Sequence, residues 1–166
     1  MKFEYCPFCR KVLELKEIGD DGLTPFCDIC QRPYFDWFGQ CTLSAVINEF
    51  NEIALLKQGY VSKTNWVLVA GYIKNGETLE ETAVRKVFEE TEQILKKIEY
   101  ISSYYYEKRE LLMIGFKCDV EKKEFNKSIE VDTIQWYNVN KALKLLREGS
   151  IGQLLLNNIM EKYRVT

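Results

Sequence analysis

The sequence predicts an α/β sandwich with a mixed sheet, preceded by a small four-cysteine metal module. Three features carry that expectation. Two Cys-x-x-Cys pairs, Cys6/Cys9 and Cys27/Cys30, are separated by 17 residues near the N-terminus. Behind them, short runs of β-branched and aromatic residues read as strands. Among these runs lies one long acidic stretch whose apolar residues recur at helical spacing.

The cysteine pairs come first in the chain. A two-residue spacer forms a tight knuckle that points both thiolates at one tetrahedral ion, and two such pairs match a zinc ribbon. Residues 12–18 and 24–26 read as its strands, with Gly19-Asp20-Asp21-Gly22 as the hairpin tip. Cys6, Cys9, Cys27 and Cys30 would close the coordination sphere of a structural Zn²⁺, whose binding folds a fragment with little core of its own. Disulfides fit poorly with a chain that shows no export signal, and the duplicated spacing argues against a redox pair. Cys41 and Cys118 are expected to be small buried side chains. The module is assigned residues 1–38, and the main domain residues 39–166.

In the main domain the pattern predicts strands at 43–50, 52–57, 66–69, 100–107, 111–120 and 133–138. The helical stretch runs from Leu79 to about Ile98 through Ala83, Val87, Ile94 and Leu95, and two further helices are expected at 140–147 and 153–163. Helices flanking a mixed sheet make a sandwich.

Composition narrows the function. Among 166 residues the net charge is −2, which gives no general pull toward nucleic acid or an anionic membrane. No apolar run approaches the ~18 residues of a membrane span, and the N-terminus lacks the plan of a secretory signal, so a cytoplasmic protein is expected. The chain has no histidine, which removes Ser-His and Cys-His catalysis. Chemistry falls to carboxylates, lysine, cysteine or bound metal.

The most informative segment runs from Gly71 to Glu92. It reads as a strand, a glycine-containing loop and a helix, with six glutamates from Glu77 to Glu92 against Arg85 and Lys86, a local net charge of −4. Such density suits Mg²⁺ or Mn²⁺, which take carboxylate, phosphate and water oxygens. Gly71, Glu77, Arg85, Val87, Glu89 and Glu90 fall in the register of a Nudix box. With the zinc ribbon in front, the chain resembles the NADH pyrophosphatase branch of the Nudix superfamily. Leu111 to Phe116, and Glu130 followed by Trp136-Tyr137, agree with that branch.

The resemblance implies a Nudix α/β/α sandwich that cleaves the pyrophosphate of NAD(H), ADP-ribose or a related nucleotide or dinucleotide, as a homodimer. It assigns Glu89, Glu90 and Glu130 to catalytic Mg²⁺ or Mn²⁺, and pairs Glu77 with Arg85 to fix the loop against the helix. Lys86 stands where the family carries a glutamate, and an ammonium has no lone pair to ligate a metal or take a proton. One expectation places it beside the phosphates, substituting for a metal's charge and leaving one ion on Glu89, Glu90 and Glu130; the alternative brings Glu80, Glu81 or Glu92 into use. Glu92 and Gln93 replace a glycine and an apolar residue, so the helix is expected to continue past its usual end. Ser102-Ser-Tyr104-Tyr-Tyr106 replaces most of the branch's specificity motif, leaving Tyr104 and Tyr106 as candidates to stack a base. Two other functions stay open: a Nudix domain that binds a nucleotide as a sensor without turnover, and a ribbon that docks a partner.

Overall fold

The computed structural model describes residues 3–59, 62, 64–126 and 128–163. Contacts divide the chain into two compact units, 1–39 and 40–166. The first holds an antiparallel three-stranded sheet in the order β1 (Glu14–Glu17), β2 (Leu23–Cys27) and β3 (Arg32–Pro33). β1 starts later than its apolar pattern predicts because the first knuckle claims Val12. Val12 bridges Tyr5, and the Cys6 amide donates to Lys11 O at 2.8 Å. Each knuckle closes on a left-handed residue just after its second cysteine, Arg10 and Gln31. Tyr5, Phe8, Leu15, Leu23 and Ile29 all stay more than half exposed, so apolar burial contributes little to this unit.

The second unit is built on a six-stranded sheet. Its main path is β7 (Leu95–Tyr106), β8 (Leu111–Val120), β4 (Gly39–Ile47), β5 (Glu52–Lys57) and β9 (Thr133–Asn138), with β6 (Val69–Tyr72) paired to β4. Alternation along β4 and β5 separates two cores. Leu43, Ala45, Ile47, Ile53 and Leu55 face Val139 and Ala142 of α2 (Val139–Leu145) and Leu155, Leu156 and Ile159 of α3 (Ile151–Tyr163). Val46, Ala54 and Leu56 turn the other way, onto Ala83 and Val87 of α1 (Leu79–Thr91). Both faces of the sheet are therefore covered, and the unit is an α/β/α sandwich.

Several boundaries differ from the sequence reading, those of β4, β6 and α1 among them. β4 ends at Ile47 because Asn48 turns the chain: its Oδ1 accepts from the amides of Phe50 (2.9 Å) and Glu52 (3.1 Å), and Asn51 is left-handed. The strand expected at 66–69 is displaced to Val69–Tyr72, with Trp66 and Val67 forming only isolated bridges. Helix α1 stops at Thr91 rather than near Ile98. Glu92 adopts φ 52°, Thr91 Oγ1 turns back to donate to Val87 O at 2.6 Å, and the buried Gln93 amide reaches the carbonyls of Lys123 and Glu124. Glu92 thus takes up the left-handed cap where a glycine was expected, and residues 95–106 are free to pair with β8.

Candidate active site

The loop joining β6 to α1 is fixed by its own residues. Gly76 sits at φ 87°, a conformation open to glycine, and lets the chain double back. Thr78 then caps the helix: its Oγ1 accepts from Glu81 N at 3.2 Å, while Thr78 N donates to Glu81 Oε2 at 2.8 Å. Arg85 clips loop to helix, donating from Nε to Glu77 Oε1 at 2.5 Å and from Nη2 to Glu77 Oε2 at 2.8 Å. It also donates to Tyr72 O at 3.2 Å and Glu89 Oε2 at 3.1 Å. The Lys74 amide and Thr82 hydroxyl complete the donors to Glu77. Arg85, against a smaller opposing effect of desolvation, holds the Glu77 carboxyl down at about 2.

The next residue along α1 is Lys86, whose side chain is 12% exposed. Its stem runs across Gly71, where a Cβ would fall 2.4 to 2.7 Å from Lys86 Cγ, Cδ and Cε. Only a glycine leaves that path open. The ammonium ends among three carboxylates, with Nζ 2.7 Å from Glu90 Oε1, 3.4 Å from Glu89 Oε2 and 3.8 Å from Glu130 Oε2. Glu90 is 1% exposed. Burial pushes its carboxyl up, and Lys86 is the largest opposing influence. Burial lowers Lys86 in turn, but Glu90, Glu130 and Glu89 outweigh it and hold the amine charged. Apart from the Lys86 ion pair, neither oxygen of Glu90 has a hydrogen bond of normal geometry among the described residues, although the buried Gln58 amide lies close enough to favour its charged form.

Glu130, assigned by the resemblance to a catalytic metal, stands off the sheet in the turn that precedes β9. That turn is built by Ser128, whose Oγ and O accept from the amides of Glu130 (3.3 Å) and Val131 (3.1 Å). It is anchored to the end of β5 by Asp132, which donates its amide to Lys57 O and accepts from Gly59 N. The long-range anchor explains how a loop residue reaches a helix-borne site.

These groups border a cleft of about 1060 Å³, large enough for a dinucleotide. Lys74, Arg85, Lys86, Arg109 and Arg147 give it five cations, Glu89 and Glu130 line one side, and Leu43, Leu68, Ala70 and Met113 provide an apolar floor. Tyr106 lines the cleft as expected of a stacking candidate, together with Tyr72 and Tyr105. Tyr104 does not: its ring packs into the same apolar cluster as Leu43, Leu68 and Met113 without lining the cleft, and its hydroxyl accepts from Asn158 Nδ2 at 2.8 Å. The sequence reading missed Gln58, Arg109 and Arg147. Only Gln58 carried a signal, as an amide directly following an apolar strand.

In the first unit, Cys6, Cys9, Cys27 and Cys30 bring their sulfurs within 4.8 Å of one another. Cys6 and Cys30 are 3.7 Å apart and Cys9 and Cys27 3.4 Å, near the ~3.8 Å set by a tetrahedral ion with ~2.3 Å bonds to sulfur. Tyr34 Oη lies 3.0 Å from Cys6 Sγ. Burial opposes ionisation of Cys6, but hydrogen bonds led by Tyr34 bring it down to about 6. Cys30 is pushed up to about 12, first by Cys9 and then by burial. Four thiolates therefore coexist only around a cation, and these residues fit one.

The covered sheet, the glycine-led strand and loop, and the acidic helix at the cleft define a Nudix-type sandwich. A family model described as NUDIX domain matches residues 40–155, and the chain belongs to that family. Among curated relatives, it is 24% identical over 162 residues to the NAD-capped RNA hydrolase NudC of Edwardsiella ictaluri, across 97% of this chain and 62% of that protein. The protein of the same name from Vibrio parahaemolyticus is 28% identical over 155 residues, across 92% and 57%. The chain thus spans about three fifths of the length of the relatives it matches. A NUDIX hydrolase structure from Nitrosomonas europaea superposes with TM-score 0.71 at 20% identity, covering 98% of this chain and 93% of that one. The NUDIX domain of Shewanella oneidensis NrtR, solved with ADP ribose, gives 0.66 at 16%, covering 77% and 90%.

Glu89, Glu90 and Glu130 offer the oxygen chemistry that Mg²⁺ or Mn²⁺ takes. The point they share, however, is already held by Lys86 Nζ. A divalent ion bridging these three carboxylates would have to share their common point with the ammonium, a like charge already 2.7 Å from Glu90. With Lys86 in place the residues do not fit a divalent ion there.

Proposed function

We propose that this protein binds a nucleoside-diphosphate-linked compound, of the NAD(H) or ADP-ribose kind, and hydrolyses its pyrophosphate bond. The observation that carries the reading is the cleft, which is lined by five cations, two carboxylates and three tyrosines. Cations there neutralise the phosphate oxygens. Tyr72, Tyr105 and Tyr106 offer rings to a base or nicotinamide. In the reaction a water oxygen bonds to one phosphorus, the P–O–P bridge breaks, and two monophosphates leave. Glu130, exposed and 3.8 Å from Lys86, is placed to accept the water's proton. The printed name of the relatives adds an NAD-capped RNA end to the substrates worth testing.

In the same reading zinc is the ion held by the four cysteines, and residues 1–38 form a ribbon of their own. The homodimer implied by the resemblance and the cytoplasmic location expected from the sequence go with it. No helix among the described residues is long and apolar enough to cross a membrane.

A second reading, binding without turnover, is favoured by one observation: Lys86 occupies the centre of the carboxylate cluster. The test is hydrolysis of NADH, NAD, ADP-ribose, dinucleoside polyphosphates, nucleoside triphosphates and NAD-capped RNA, with and without Mg²⁺ or Mn²⁺, by the natural chain and by Lys86→Glu. Turnover by the natural chain establishes the enzyme. Retained ligand binding with turnover confined to Lys86→Glu establishes the sensor, and failure of both to bind or cleave any of them removes both readings.

A further inference from the structure

The buried ion pair between Lys86 and Glu90 carries a consequence for what the cleft binds. A Glu90 carboxylate this deeply buried requires a positive charge beside it. The chain supplies that charge itself, through a lysine whose stem is admitted by Gly71 and whose ammonium is shared by Glu90, Glu89 and Glu130. The site is enclosed on the same side by Arg85, which adds a guanidinium to Glu89, and Lys74 lies 3.9 Å from that carboxylate. Three cations thus converge on four carboxylates, counting Glu77 on Arg85, and the Lys86 ammonium holds the point shared by Glu89, Glu90 and Glu130 where a divalent ion would have to sit.

We propose that Lys86 is a tethered cation that stands in for a divalent metal, so that the cleft takes the phosphates of its ligand on ammonium and guanidinium groups and in metal-free form. The part concerning the ligand rests on the functional reading above, whereas the part concerning the metal stands without it. Lysine supplies a single charge with no open coordination positions, and it cannot activate a bound water as a metal does. The protein is therefore built to recognise pyrophosphate whatever the Mg²⁺ concentration. A metal-loaded relative would instead bind as the ion becomes available.

The experiment is a Mn²⁺ titration of the full-length, zinc-loaded chain, following free Mn²⁺ by electron paramagnetic resonance in metal-depleted buffer without chelator, so that the cysteine site stays filled. The natural chain is expected to show no Mn²⁺ site dependent on Glu90. Lys86→Glu removes one positive charge and adds a negative one a few Å from the ion, and is expected to gain such a site, tighter by on the order of a hundredfold. Lys86→Gln provides a neutral control with an intermediate gain. The proposal is overturned if the natural chain binds Mn²⁺ and Glu90→Gln abolishes that binding, or if Lys86→Glu folds and gains nothing. Calorimetry with ADP-ribose, with and without Mg²⁺, is run alongside. Binding to the natural chain that is unchanged by Mg²⁺ supports the proposal, and binding that appears only with Mg²⁺ overturns it. Absence of binding in both conditions, to this ligand and the others named above, counts against the functional reading, while the Mn²⁺ titration still decides the role of Lys86.

Discussion

Lys86→Met is the perturbation that most directly probes the site. Methionine keeps an unbranched stem over Gly71 and deletes the charge 2.7 Å from Glu90. Glu90 is 1% exposed, and Lys86 is its ion-pair partner among the described residues. Removing one member of a buried pair strands the other, at a cost of about 3–5 kcal/mol. The loss is expected to depend on pH. Burial already raises the Glu90 carboxyl above its ordinary value of 4.5, and the variant loses the main influence that opposes burial. Above that value the folded variant then holds a proton that the unfolded chain releases, so its stability falls as pH rises toward neutrality. Urea unfolding at a series of pH values, followed by the fluorescence of Trp66 and Trp136 in the second unit, reads both effects. Lys86→Met with Glu90→Gln should recover most of the loss, since no charge remains to strand. A loss under about 1 kcal/mol that is flat with pH would show that Glu90 has another counter-charge, and the account of the site would fail.

Gly71→Ala should destabilise the second unit by about 1–3 kcal/mol, because its methyl would enter the Lys86 stem. Lys86→Ala should relieve most of that loss, and a double-mutant cycle by thermal melting would expose simple additivity as the contrary result. The Glu77–Arg85 clip should persist as pH falls until the carboxyl protonates at about 2. Whatever stability it adds is present above the ordinary carboxyl value and is lost between about 4.5 and 2. Carbon-detected NMR titration of Glu77 checks the midpoint, which should return toward the ordinary value in Arg85→Met. In Cys27→Ser, or after the cysteine-bound metal is stripped by chelation, amide exchange should accelerate throughout residues 3–39 and stay slow in β5 and β8. Equal protection of the ribbon with and without metal would contradict the view that the ion supplies its fold.

The helix start was legible in the sequence and its end was not, and the difference is physical. Thr78 and Glu81 settle the start between themselves, three residues apart. The end is decided by Gln93 reaching carbonyls 30 residues away, and by a strand pairing Leu95 with Val120. Ile94, Leu95 and Ile98 continue the helical period of apolar residues, so periodicity alone could not stop the helix. The cysteine spacing likewise contained its site, because each knuckle is local. Tyr104 and Tyr106 share a strand period, and only tertiary packing sends one to Asn158 and the other to the cleft.

Lys86 shows most clearly what a linear pattern conveys. As a letter in the box it marks a departure, a cation where an acid belongs. Its spacing from Glu89 and Glu90 on one helix predicts ion pairs, and they form at 3.4 and 2.7 Å. What spacing could not give is the role of Gly71, fifteen residues earlier, in admitting the lysine stem, or the turn that brings Glu130 to the same ammonium. A lysine placed on a helix surface could swing into water and leave the carboxylates to a metal. One whose stem is confined against a glycine, with a buried carboxylate at its end, is held in place by both neighbours. The departure from the family pattern is thus accommodated structurally, and the carboxylate cluster is organised around the amine.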